Sequence, residues 1–490
     1  MSSSGNPPNR FDLAERARQE MREEGFDLDF PPDAAAHSGS GAMPAGPDSG
    51  MKDLRALLWS SIDNRESRDL DQIEAAEQLK DGRILLRIGI ADVDSLVPEG
   101  SPVDRHAAHN CCSVYTGIVV FPLLPEELST DRTSLLQDQD RAAVIVEMEI
   151  DADGAVVTAT AYRALTRNYA QLAYEEVGAW LEGEGPIPEG ASRIEGMEAQ
   201  LRLQYEIAER LEARRLREGA LEFETVEAQP VVENGRCTDL AVPCKTAARK
   251  MIENFMISAN TTMAKFLQDR GVGSIQRVVR SPQRWPRIME IAARYGETLP
   301  SDPDPLALSR FLTNRRQADP ERFPDLSLSI VKLMGPGEYT VAASGAEHDG
   351  HFGLAVYSYT HSTAPNRRYA DLIVQRALKA TLAAGSPPYT EEELKAIAAR
   401  CTERENAARK VERFMRKAIA AVWMHDRIGE TFNAIVTGAN PKGTYVRLLH
   451  PPVEGRVVRG ESGLDVGDHT RVRLIHTDPE RGFIDFEHVP

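Results

Sequence analysis

No run of about 18 apolar residues occurs anywhere in the 490-residue chain, so nothing in it reads as a membrane-spanning helix. The first residues, Met1 to Gly5 and the prolines after them, lack the charged start and apolar stretch of a secretory signal. A soluble, cytoplasmic protein is expected. Cysteine is scarce: the five present are Cys111, Cys112, Cys237, Cys244 and Cys401. They form no Cys-x-x-Cys pair and their odd number gives no disulfide framework, so a reducing compartment is expected and structural zinc is not. Basic charge is also in deficit, with 58 Lys and Arg against 75 Asp and Glu and a formal charge of −17. That balance argues at first sight against a nucleic-acid partner, because phosphate affinity comes from lysine and arginine releasing counterions. The charge is segregated, however: His361 to Arg427 carries thirteen Lys/Arg against eight Asp/Glu. A narrow basic lining inside an acidic shell suits a channel better than an open patch.

What is present exceeds one ordinary hydrophobic core, so two or more domains are expected. Residues 1–50 contain one possible helix, Phe11 to Glu24, and then a Pro/Gly/Ala/Ser-rich stretch without apolar periodicity. This segment reads as a tail or linker, too short for a further barrel of about 70 residues. From Asp53 the pattern is mixed α and β. Arg83 to Ile90 and Ala142 to Ile150 read as strands, the second turning at Asp153-Gly154 into Ala155 to Ala161. Ile194, Met197, Leu201, Ala208 and Leu211 form one helical stripe ending at Gly219. Lys245 to Asp269, Ala370 to Ala384 and Glu391 to about Trp423 read as further helices, the last with Arg409, Arg413 and Arg416 on a basic face. Beyond Asp426 come five short strands, Glu430 to Val436, Gly443 to Leu449, Val453 to Val458, His469 to Leu474 and Phe483 to Glu487. That spacing describes a small Greek-key barrel. The fold class is therefore α+β, a mixed sheet with packed helices followed by a five-stranded barrel.

Two segments carry chemistry. Ser61 to Gln72 places Asp63, Asp69 and Asp71 within nine residues, and Asp69 and Asp71 share a face if the chain is extended. Converging hard oxygen ligands suit Mg²⁺; a solvated acidic loop is the alternative on composition alone. Tyr359 to Leu372 places Arg367 and Arg368 after Pro365 and before a helix, where a guanidinium can meet a phosphate developing charge. The alternative is that one arginine pairs with Asp371 and the other is exposed.

The first segment resembles the IDxxxxxDxDD signature of the ribonuclease II (RNB) family, and the second its HFTSPIRRYADL signature. Between and beside them, Ile90-Ala91-Asp92-Val93, Ser113-Val114-Tyr115, Pro122 to Ser129, Tyr174 to Val177 and Met256 to Asn260 resemble further family blocks in the same order. The resemblance covers residues 53–425, and the tail from Asp426 is similar to the RNA-binding barrel of the ribosomal protein S-one type. It implies a catalytic domain over 51–425 and an OB-fold RNA-binding domain over 426–490. It also implies a Mg²⁺ site of Asp63, Asp69 and Asp71, with Asp71 closest to the chemistry. Arg367 matches the arginine that helps cleave the phosphodiester, and Glu412 an active-site glutamate on the last helix. Tyr115 and Tyr174 resemble aromatics that hold bases near the 3′ end, Glu253 a residue near the terminal ribose, and Arg368 a further substrate contact. Read without the family, both tyrosines also fit core packing, and Glu412 an ion pair with Arg409 or Arg416.

Departures are specific. Gln72 stands where the family has a fourth aspartate, so metal affinity should fall unless Glu74 or Asp92 compensates. Gly89, Ser362, Ala364 and Asn366 also differ from the usual forms, and no room is seen for the paired cold-shock barrels that usually precede the catalytic domain. The expected function is Mg²⁺-dependent, processive 3′→5′ hydrolysis of single-stranded RNA to nucleoside 5′-monophosphates, by a monomer that does not prefer DNA. The alternative is a catalytically impaired RNA-binding protein of the same fold. On the barrel, Lys442, Tyr445 and Arg447 are expected at an RNA-facing surface and Phe432 in the core.

Overall fold

The computed structural model of the chain describes residues 11–34, 50–224, 228–233, 236–242, 245–342, 350–440 and 443–489. The catalytic half is built on a six-stranded sheet: β1 (Lys52–Asp53), β2 (Trp59–Asp63), β3 (Gln72–Gln78), β4 (Ile84–Ala91), β5 (Asp140–Ile150) and β6 (Val156–Ala173), in the order β1-β6-β2-β3-β4-β5. The 18-residue β6 pairs antiparallel with β5 as far as Arg167, then parallel with β2 from Asn168 to Ala173. The sheet thereby closes on itself. The turn at Asp153-Gly154 forms as its sequence implies, but β6 continues twelve residues past the expected Ala161, because nothing between Tyr162 and Ala173 breaks a strand. Gly154 has φ +80 and a Cβ there would meet the Arg210 carbonyl oxygen at 2.2 Å, so the turn demands glycine.

Helices cover this sheet. α2 (Pro102–Asn110) follows β4, α3 (Tyr174–Leu181) leaves β6 directly, and α4 (Met197–Glu218) buries Met197, Leu201, Ala208 and Leu211 before ending at left-handed Gly219. α5 (Ala247–Gln268) is buried along most of its length. A separate small core around Trp285, Phe311 and Phe323 joins α6 (Trp285–Arg294), α7 (Pro305–Ala318) and α8 (Phe323–Met334). α9 (Tyr369–Leu382) follows the arginine segment.

The 34-residue α10 (Glu391–Met424) opens with a capping box of Thr390 and Glu393 and organises everything after it. Within the segment read as a tail, α1 (Leu13–Glu23) is packed: Leu13, Ala17 and Met21 lie against Val411, Met415 and Ile419 of α10. The short hairpin β7 (Gln229–Glu233) and β8 (Arg236–Ala241) lies on α10 too, and β9 (Ser274–Val278) pairs with β10 (Glu338–Ala342). The C-terminal strands β11 (Thr431–Asn440), β12 (Gly443–Leu448), β13 (Glu454–Arg459), β14 (His469–Asp478) and β15 (Phe483–Val489) form a closed barrel, β11-β12-β13-β15-β14. Its core, including Phe432, merges with Ala420, Ala421 and Met424 of α10, so packing crosses the sequence break at Asp426. Arg447 corrects an expectation. It is 6% exposed and its guanidinium pairs with Asp325 of α8 at 2.6 Å, so it docks the barrel instead of facing RNA. Tyr445 is at the surface, 37% exposed; Lys442 lies outside the described residues. Among the described residues no helix is long and apolar enough to cross a membrane.

Candidate active site

The two signature segments meet at one end of the sheet. Asp63 closes β2, and its parallel register partner on β6 is Ala173, the residue before Tyr174. Strand pairing thus puts a carboxylate and an aromatic ring side by side. The loop from Asp63 to β3 is held by its own polar groups: the Asp63 Oδ1 accepts from the Asn64 N–H (2.6 Å) and the Ser67 hydroxyl (2.9 Å), and Ser134 bridges the Leu70 N–H and the Arg68 carbonyl. Asp71 enters β3 with 2% exposure. Its carboxylate accepts from the Asn366 backbone N–H at 3.1 Å and from the Arg367 Nε at 3.2 Å. Burial pushes the Asp71 carboxyl up to about 7 while Arg367 pulls the other way. Asp69 is raised as well, chiefly by burial, and accepts from the Tyr115 hydroxyl.

Arg367 and Arg368 divide their work. Arg368 is committed to Asp371: Nε and Nη2 both reach its carboxylate at 2.8 Å, and the Ala364 N–H adds a third bond to the same group. Its expected role as a substrate contact is therefore replaced by bracing the segment. Arg367 keeps 43% of its side chain exposed while touching Asp71. The departures at Ser362, Ala364 and Asn366 cost little, because the segment is held through backbone groups: the Ser362 and Ala364 N–H groups go to Asn260 and Asp371, and that of Asn366 to Asp71. Asn260, in the block read on α5, thus has a definite task. Its Nδ2 also donates to the Tyr359 hydroxyl at 3.2 Å.

Tyr115 joins the parts. Its hydroxyl goes to Asp69, its backbone N–H donates to Glu412 at 3.1 Å, and the residue remains 43% exposed beside Arg367. Glu412 therefore acts on Tyr115. Arg409 has its own ion pair with Glu405, at 2.7 Å. Burial raises the Glu412 carboxyl, against the Tyr115 N–H and the nearby Arg416 and Arg409. Tyr174 carries the Arg249 guanidinium over its ring at 4.5 Å, and Arg249 also donates to Asn64 at 2.9 Å. The sequence reading missed Arg249; its position one helical turn before Glu253 was the available signal. Glu253 itself pairs with Lys245 at 2.9 Å, and no contact to the aspartates occurs among the described residues.

The expected compensators for Gln72 separate. Asp92 is engaged by Arg163 and Lys379, whose charges outweigh burial and lower its carboxyl. Glu74, fully buried beneath the site, has neither carboxylate oxygen hydrogen-bonded to another protein group, and burial with the charge of Asp63 pushes it well above the usual range. Among the described residues no three His, Cys, Asp or Glu side chains converge closely enough to hold a metal alone. The donor set of Asp69 and Asp71 is oxygen only, and Mg²⁺ commonly takes one or two carboxylates and fills its sphere with water and substrate phosphate. The residues fit such an ion.

Residues 51–384 match the RNB domain and 430–489 the RNase II-type exonuclease C-terminal S1 domain. The chain is 31% identical over 473 residues to Ribonuclease R of Thermotoga maritima (89% of this chain, 64% of that protein) and 30% identical over 473 residues to Ribonuclease R 1 of Lactococcus lactis (90% and 56%). It spans about three fifths of these relatives' length. The apo form of Mycoplasma genitalium RNase R superposes with a TM-score of 0.87 at 22% identity, covering 98% of this chain and 78% of that one, and so shares the fold. With both signature segments assembled on that fold, the chain belongs to the RNB-domain family and ends in an S1 barrel of the RNase II type.

Proposed function

We propose that the protein is a hydrolytic 3′→5′ exoribonuclease that uses Mg²⁺ and degrades single-stranded RNA processively to nucleoside 5′-monophosphates. The observation that carries this reading is the contact of buried Asp71 with half-exposed Arg367, beside Tyr115 and Glu412 in one cavity. Mg²⁺ held by Asp69 and Asp71 would supply an activated water and neutralise phosphate charge. Arg367 is fixed on its inner side by Asp71 and open on its outer side, so its free N–H groups can bind a phosphate more strongly as charge grows on it. The Tyr115 ring is positioned at both ends, by Asp69 and Glu412, and offers a π face to a base; stacking is worth about 1–3 kcal/mol and tolerates any sequence. Exposed Arg409, Arg413 and Lys417 on α10 attract the backbone without reading bases. Many such contacts favour processive degradation.

The relatives' name, Ribonuclease R, supports RNA as substrate, and we place the activity in the cytoplasm. Every named group comes from one chain, which suits a monomer. The test is 5′-end-labelled single-stranded RNA incubated with protein and Mg²⁺, with and without chelator, beside DNA of the same sequence. The expected result is label retreating from the 3′ end with release of mononucleotides, stopped by chelator and slower on DNA. RNA that is bound but not shortened contradicts the reading.

A further inference from the structure

Three of the chain's five cysteines meet at the candidate active site: Cys111, Cys112 and Cys401 line the same cavity as Arg367 and Glu412. Cys401 stands on α10, and its thiol is hydrogen-bonded to that of Cys111. Cys111 is the residue just after α2 and holds a left-handed φ of 60. That backbone disfavours any residue with a Cβ and persists only where the surroundings fix it. Both thiols are free and buried, and the reaction proposed above uses neither.

We propose that Cys111 and Cys401 form a hydroperoxide-sensitive pair whose oxidation to a disulfide disables the site. The thiolate of Cys111, its proton released to solvent, attacks one oxygen of hydrogen peroxide. The O–O bond breaks, leaving a sulfenic acid on Cys111 and a hydroxide that takes up a proton to become water. The Cys401 sulfur then attacks the sulfenic sulfur, the S–S bond forms, the S–O bond breaks, and the departing hydroxide takes up the Cys401 proton as a second water. Two thiols lose two electrons and two protons, and the peroxide is reduced to two waters. Cys111 is the attacking sulfur because the hydrogen bond to it, then burial, keeps the Cys401 thiol protonated. The reaction is slow on such a pair and answers to sustained oxidant.

The consequence follows from what hangs on Cys111. Its carbonyl accepts from the Tyr369 N–H at 2.8 Å, and two residues on the Ser113 N–H donates to the Arg367 carbonyl at 3.0 Å. A disulfide is much shorter than a thiol–thiol hydrogen bond, so forming it draws this segment toward α10 and carries Arg367 with it. Misplacing a catalytic group by about 1 Å costs on the order of 100-fold in rate. The loss of turnover rests on the exoribonuclease reading, whereas the cross-link does not.

The full-length protein is exposed to hydrogen peroxide, quenched with catalase, alkylated under denaturing conditions and mapped by mass spectrometry, with RNA turnover measured in parallel. We expect a Cys111–Cys401 peptide lighter by two hydrogens and a turnover loss on the order of 100-fold, both reversed by dithiothreitol. The Cys112→Ser protein should give the same cross-link. Cys401→Ser, compared with its own reduced sample, should show neither change. Cys111→Gly, which suits the left-handed backbone, serves equally if Cys401→Ser does not fold. The proposal is overturned if peroxide oxidises half-buried Cys237 and leaves the pair unlinked, if the cross-link forms with turnover intact, or if Cys401→Ser loses turnover equally. A reduced protein without RNase activity refutes the exoribonuclease reading instead, and the peptide map still decides the cross-link.

Discussion

Asp371→Asn tests whether the arginine segment is held as the structure implies. Asp371 is 0% exposed and takes three bonds at 2.8 Å, two from Arg368 and one from the Ala364 N–H. The substitution keeps the size and one acceptor oxygen but removes the charge, leaving a buried guanidinium without its counterion. Breaking a buried pair from one side costs about 3–5 kcal/mol. Because 24% of the Arg368 side chain still reaches solvent and Asn retains an acceptor, the loss should fall near the lower end, about 3 kcal/mol. Urea unfolding of the wild type and the variant reads it as a shift in midpoint at unchanged slope. The Asn366 N–H and the Arg367 guanidinium both reach Asp71 from this segment, so turnover should fall too, by more than RNA affinity does. A loss below about 1 kcal/mol, the size of an ordinary surface pair, or a full loss of stability with turnover intact, refutes the reasoning.

Glu74→Gln should make stability less dependent on pH. The folded-state carboxyl is raised above its unfolded value, so its contribution is complete below pH of about 4.5 and is lost as pH rises, at up to about 1.4 kcal/mol per unit; urea midpoints at pH 5.5 and 8 should therefore differ less in the variant, and an unchanged difference places the proton elsewhere. Arg447→Ala should cost about 2 kcal/mol, as for a hydrogen bond to a charged group, and raise hydrogen exchange in β12; unaltered exchange means that α10 alone docks the barrel. Gln72→Asp should lower the Mg²⁺ concentration for half-maximal activity with little change in the saturated rate, because hard cations bind through ligand charge; an unmoved titration puts position 72 outside the coordination sphere.

What was legible in the sequence was what local pattern encodes. The stripe from Met197 to Leu211, the Gly219 stop and the five barrel strands follow from periodicity and turn residues, and each forms within a few residues of its expected place. The meeting of Asp71 with Arg367, 296 residues apart, was available only through the family resemblance, since no spacing rule links two such segments. The choice between the two arginines was not legible: both precede the same helix, and only the fold shows that Arg368 lies within reach of Asp371 while Arg367 points to Asp71. Arg447 was misread for a similar reason. Alternation along β12 gives its face of the strand but not that α8 covers that face with Asp325. Asp92 looked like a spare carboxylate because Arg163 and Lys379 lie 71 and 287 residues away.

The central claim is that a buried aspartate drives phosphodiester hydrolysis, and Asp71→Asn tests it most directly, since it removes charge without volume. RNA affinity and single-turnover cleavage of 5′-end-labelled RNA are measured together at saturating Mg²⁺. The account predicts affinity close to wild type and cleavage reduced by at least about 100-fold, as when a group acting on transition-state charge is removed. Cleavage within a few-fold of wild type, or a defect confined to binding, contradicts it.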